Sequence, residues 1–175
     1  MTIKTIFLDR DGVINKEVNY IHNIDDFEFI DGVFEACRNF QKLGYEIIII
    51  TNQSGIARGY FTEFDYQLIT KWMLDQFEER NVKILDVFHC PHGPDSSCNC
   101  RKPKPGMLLK AINQYGIDMK RSWMIGDKDV YIKAANAANI QNTIMVKSGH
   151  PIDLKNSKAK HVLDSIKQVK AVIQN

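Results

Sequence analysis

The pattern of this chain predicts an α/β fold with a doubly wound, mostly parallel sheet. Glu46-Ile47-Ile48-Ile49-Ile50 is a continuous β-branched run, as a strand covered on both faces requires. Apolar runs of this kind alternate with amphipathic stretches along the chain, the order expected of a sheet wrapped by crossover helices. Small polar clusters follow several of the runs, at the edge where such sheets bind ligands.

The first strand spans Ile3 to Leu8 and ends in Asp9-Arg10-Asp11-Gly12, two carboxylates separated by one residue at a turn glycine. Adjacent carboxylates raise each other's pKa unless positive charge absorbs theirs, so a divalent metal is expected beside them. Asn15 to Phe29 has neither helical nor strand period and reads as a loop over the mouth of a site. Asp31-Gly32 opens a helix with Val33, Phe34, Cys37, Phe40 and Leu43 on one face, and Gly44 ends it. Cys37 there is core.

After the isoleucine run comes Thr51-Asn52-Gln53-Ser54-Gly55, and Thr62 then caps a helix reaching Glu79. Ile84 to Phe88 reads as a strand, His89 to Pro105 as irregular, and Gly106 to Tyr115 as a helix. Ser122 to Ile125 is a further strand, ending in Gly126-Asp127-Lys128. Val130 to Ala138 should be a helix, Asn142 to Val146 a strand, and Leu163 to Ile173 a last helix. One domain is expected over 1–175, with 89–105 as an insert.

Bulk composition excludes several function classes. A net charge of +2 with scattered charges does not advertise a nucleic-acid or membrane partner. No apolar run approaches the ~18 residues of a membrane span, and no signal-peptide pattern opens the chain, so a cytoplasmic location is expected. The four cysteines, Cys37, Cys90, Cys98 and Cys100, are too few and too clustered for a disulfide framework.

Cys90-Pro91-His92 and Cys98-Asn99-Cys100 place three thiolates and an imidazole within eleven positions. Four soft ligands suit tetrahedral zinc, and a closed set implies a structural role. His89 lies just outside this set and competes with His92 as the fourth ligand. The spacing differs from that of a DNA-reading finger.

Arg101-Lys102-Pro103-Lys104-Pro105 follows directly, with its cations held by prolines. Gathered at one sheet edge, Asp9, Asp11, Thr51, Lys102 and Asp127 compose the chemistry of phosphoryl transfer. One carboxylate attacks phosphorus, a second protonates the departing alcohol, and Mg2+ on Asp9 and Asp127 offsets negative charge. Thr51 and Lys102 would neutralise the transferred oxygens.

These residues resemble the haloacid dehalogenase superfamily of phosphohydrolases, with Asp9-Arg10-Asp11-Gly12, Thr51, Lys102 and Gly126-Asp127 as its motifs. Thr51 to Gly59, the cysteine loop and Cys100-Arg101-Lys102-Pro103 are similar to the branch acting on D-glycero-D-manno-heptose 1,7-bisphosphate. The resemblance implies a Rossmann-like core with a minimal cap. It also implies Asp9 as nucleophile, Asp11 as general acid and base, and Mg2+ on Asp9, the Asp11 carbonyl and Asp127. By the same carry-over Arg101 recognises substrate, and Asn19, Tyr20, Asn52, Gln53, Ser54 and Lys128 line its pocket. The expected substrate is a sugar bisphosphate, handled by a monomer.

One position departs from the superfamily pattern. Tyr131 stands where a second acid is usual, so Asp129 or a water is expected to brace the metal site. Two competing readings are histidinol-phosphate phosphatase and a non-catalytic zinc-stabilised binding module.

Overall fold

In the computed structural model, which describes residues 2–174, six strands form one sheet. The strands are β1 (Thr5–Leu8), β2 (Glu46–Asn52), β3 (Asp86–Cys90), β4 (Trp123–Gly126), β5 (Asn142–Val146) and β6 (His161–Leu163). Their order is β3-β2-β1-β4-β5-β6, and every pairing is parallel. The helices are α1 (Val33–Lys42), α2 (Glu63–Glu79), α3 (Gly106–Tyr115) and α4 (Asp129–Ala137).

Successive side chains of a strand point to opposite faces, so the isoleucine run feeds two cores. Ile47 and Ile49 pack with Val33, Cys37, Phe40, Met73 and Phe77 of α1 and α2. Ile48 and Ile50 pack with Met107, Leu108 and Ala111 of α3 and Ala134 and Ala135 of α4. Thr62 caps α2 reciprocally: its hydroxyl accepts from Asp65 N–H, and Asp65 accepts from Thr62 N–H.

The chain moves outward from β1 to one side and resumes at β4 on the other, so β1 and β4 flank the topological switch point. Asp9 N–H donates to Ile125 O at 3.0 Å, placing the first acid against the end of β4.

Two expectations need correction. The C-terminal segment is no α-helix: it forms β6 and a 3-10 helix over Ile166–Ala171. Ile166 and Val169 are buried three residues apart, matching the three-residue turn of that helix. β3 lies two residues later than expected, so His89 and Cys90 belong to it, and β2 likewise carries Thr51 and Asn52 in regular structure. The segment from Asn15 to Phe29 is a loop as expected, pinned at its ends by an Asn15–Phe29 bridge and holding a short 3-10 turn, Ile24–Asp26.

Candidate active site

Asp9 and Asp127 leave the carboxyl ends of β1 and β4, and both are fully buried. Lys102 Nζ reaches Asp9 Oδ1 at 3.1 Å and Ile50 O at 3.0 Å, and sits 3.5 Å from the centroid of the Tyr131 ring. The tyrosine at the position where an acid is usual therefore presents a ring face to the ammonium, an attraction of about 2 kcal/mol when water is excluded. Asn52 holds the Lys102 backbone at both ends: its Oδ1 accepts from Lys102 N–H at 3.2 Å and its amide donates to Lys102 O at 3.4 Å.

Asp11 is set apart from Asp9 by its partners. Arg10, itself buried, donates to both Asp11 oxygens at 3.0–3.2 Å, and Asn15 donates to Oδ1 at 3.0 Å. Gln53 Nε2 bridges Asp11 Oδ2 at 3.1 Å and Thr51 Oγ1 at 2.9 Å. Part of the positive charge expected beside the acid pair is thus the guanidinium between them in sequence.

Burial pushes the Asp9 carboxyl up to about 7, against the pull of Lys102, with Asp127 and Asp11 adding to the rise. Burial likewise lowers the Lys102 ammonium from its usual range despite Asp9. Three carboxylate oxygens, Asp9 Oδ2, Asp127 Oδ1 and Asp129 Oδ1, are buried with no hydrogen-bond partner among the described residues. Orphaned anionic oxygens are costly unless a cation satisfies them, and hard oxygen donors are the ligands Mg2+ takes. The acids therefore fit a divalent cation.

Asn19, Tyr20, Asn52, Gln53, Ser54, Arg101 and Lys128 all line one cleft of about 320 Å³ with Asp11 and Lys102. Glu17, Arg58 and His150 share it and were not singled out from the sequence. His150 follows the fourth strand to end in a polar cluster, Lys147 to Gly149, so the pattern that exposed the first three clusters also marks it.

The four donor atoms of Cys90, His92, Cys98 and Cys100 lie within 4.8 Å of one another. That soft, compact set suits tetrahedral zinc. His89 is engaged elsewhere: its Nε2 is 2.8 Å from the Glu63 carboxylate and its ring stacks on Tyr66. The expected competition with His92 is thereby removed. Arg101 Nη1 donates to His92 O at 3.2 Å, tying the cysteine loop to the cleft.

Residues 99–169 match the family model of HAD-hydrolase-like proteins. A Photorhabdus laumondii subsp. laumondii protein named D-glycero-alpha-D-manno-heptose-1,7-bisphosphate 7-phosphatase is 53% identical over 156 residues, 85% of each chain. The chain belongs to the heptose bisphosphate phosphatase family. Another member, the Escherichia coli (strain K12) D-glycero-beta-D-manno-heptose-1,7-bisphosphate 7-phosphatase, is 47% identical over 86% of this chain and 83% of its own. The crystal structure of the B. bronchiseptica D,D-heptose 1,7-bisphosphate phosphatase, complexed with magnesium and phosphate, superposes with a TM-score of 0.84. It is 27% identical and covers 95% of this chain and 96% of that one.

Proposed function

We infer that this protein hydrolyses a phosphomonoester through an aspartyl-phosphate, removing the 7-phosphate of D-glycero-D-manno-heptose 1,7-bisphosphate to leave the heptose 1-phosphate. The observation that carries the reading is the inequality of two neighbouring acids. Asp9 is buried against Lys102 with one free oxygen, whereas Asp11 faces the cleft and is held by Arg10, Asn15 and Gln53.

The Asp9 carboxylate attacks phosphorus as the bond to the sugar oxygen breaks, and Asp11 gives that oxygen its proton. Asp11, now a base, takes a proton from water as the water attacks the aspartyl-phosphate, releasing inorganic phosphate and regenerating Asp9. Lys102 and the Thr51 hydroxyl offset charge on the transferred oxygens. Asp9, the Asp11 backbone carbonyl and Asp127 would hold Mg2+, which supplies charge neutralisation between nucleophile and phosphate when bound. Arg101 and Lys128, with Arg58, give the cleft wall the cations that a second phosphate needs.

The chain reads as one phosphatase domain in which 89–105 is a zinc-stabilised insert. Reduced, metal-suited thiols fit a cytoplasmic location, and no helix among the described residues is long and apolar enough to cross a membrane.

Relatives named for the α anomer and for the β anomer are 53% and 47% identical to this chain respectively, so both anomers enter the test. Both anomers, histidinol phosphate and simple phosphate esters, compared by kcat/KM, test the reading. A heptose bisphosphate should win and yield one phosphate per sugar, and Asp9→Asn should abolish turnover. A win for histidinol phosphate reverses the substrate assignment, and binding without turnover reduces the protein to a binding module.

A further inference from the structure

Asp127 lacks the usual acidic neighbour at position 131; of Asp129, expected to replace it, one oxygen lies 2.9 Å from Lys133 Nζ and the other is buried without a partner among the described residues. We propose that His150, on the loop after β5, is a positioning residue that fixes Asp127 for divalent-cation binding; the proposal rests on the Mg2+ site inferred above.

His150 Nδ1 lies 2.6 Å from Asp127 Oδ2, and the His150 backbone N–H donates to the same oxygen at 3.1 Å. A carboxylate oxygen only accepts, so Nδ1 carries the proton in this contact. Gly12 and Gly149 wall Oδ2 so closely that a Cβ at either would collide with it. Two donors and two glycine backbones thus hold one oxygen, and Oδ1 stays buried and unpartnered among the described residues. The loop is also tied to the turn after Asp11, because Ser148 Oγ donates to Gly12 O at 2.8 Å. Cation ligand and imidazole are therefore parts of one clamp.

Hydrogen-bond partners of a metal-ligating carboxylate set its orientation, and losing one typically costs about 10–100-fold in metal affinity. The backbone donor of His150 survives truncation of the side chain, so the expected loss lies near the lower bound. The test is calorimetric titration of MgCl2 into zinc-loaded protein dialysed free of Mg2+, for wild type, His150→Ala, His150→Asn and Asp127→Asn. Asparagine sets an amide N–H near the Nδ1 position.

His150→Ala should weaken Mg2+ binding about tenfold, and His150→Asn should recover most of it. The Mg2+ concentration for half-maximal turnover should move by the same factor. An alanine variant that binds Mg2+ as wild type does, or an asparagine variant no better than alanine, overturns the role of the imidazole. Asp127→Asn separates the two levels: if it loses Mg2+ while His150→Ala does not, only this proposal fails. Wild-type binding by Asp127→Asn overturns both the proposal and the Mg2+ site beneath it.

Discussion

Replacing Lys102 with methionine tests the electrostatics of the site without opening a cavity, because the two side chains have similar length and volume. The substitution removes an ammonium 3.1 Å from Asp9 Oδ1 and leaves Asp9 buried beside Asp127 and Asp11. Removing one partner of a buried pair costs about 3–5 kcal/mol. In a chain of this length that lowers the melting temperature by roughly 10 °C.

The pH dependence follows from Asp9. Its folded pKa already stands at about 7, above the ordinary 3.8, and it rises further without Lys102. An acid with a raised folded pKa contributes stability fully below its unfolded value and loses it as pH rises through the folded value. The deficit of Lys102→Met should therefore be small at pH 5, where Asp9 takes a proton, and should grow above pH 7 by at most about 1.4 kcal/mol per pH unit, reaching the full cost only where Asp9 ionises in the variant. Thermal melts of the zinc-loaded protein in Mg2+-free buffer at both pH values measure it. Equal deficits at pH 5 and pH 8, or a shift under about 2 °C at pH 8, would refute the reasoning.

Asp11→Asn removes the proton donor while Arg10, Asn15 and Gln53 still hold the side chain, so kcat should fall by about 10²–10⁴ with the fold intact by circular dichroism. Gly149→Ala drives a methyl into the Asp127 carboxylate, and urea unfolding should report a loss of about 1–3 kcal/mol together with weaker Mg2+ binding. Metal analysis should find one zinc per chain, and Cys98→Ser should lose it. Because Arg101 is tied to the cysteine loop through His92 O, the same variant should raise KM for the bisphosphate by about tenfold.

Periodicity exposed most of the fold. The isoleucine run specified a strand buried on both faces, and the sheet fills both cores with its alternating residues. The zinc ligands and the acids Asp9, Asp11 and Asp127 were legible because each follows a strand or belongs to a tight local set. The C-terminal helix was misread because Ile166, Val169 and Ile173 fit an α-helical face as well as the 3-10 turn that forms.

The sequence by itself determined which residue types reach the carboxyl edge of the sheet, since strand period and turn chemistry are local properties of the backbone. Only the tertiary structure decided how they pair. Lys102 meets Asp9 across 93 positions, His150 meets Asp127 across 23, and Tyr131 turns its ring to Lys102. Such contacts depend on strand order and on where each crossover returns the chain. That order, not any local motif, brings the imidazole of His150 to the Asp127 carboxylate.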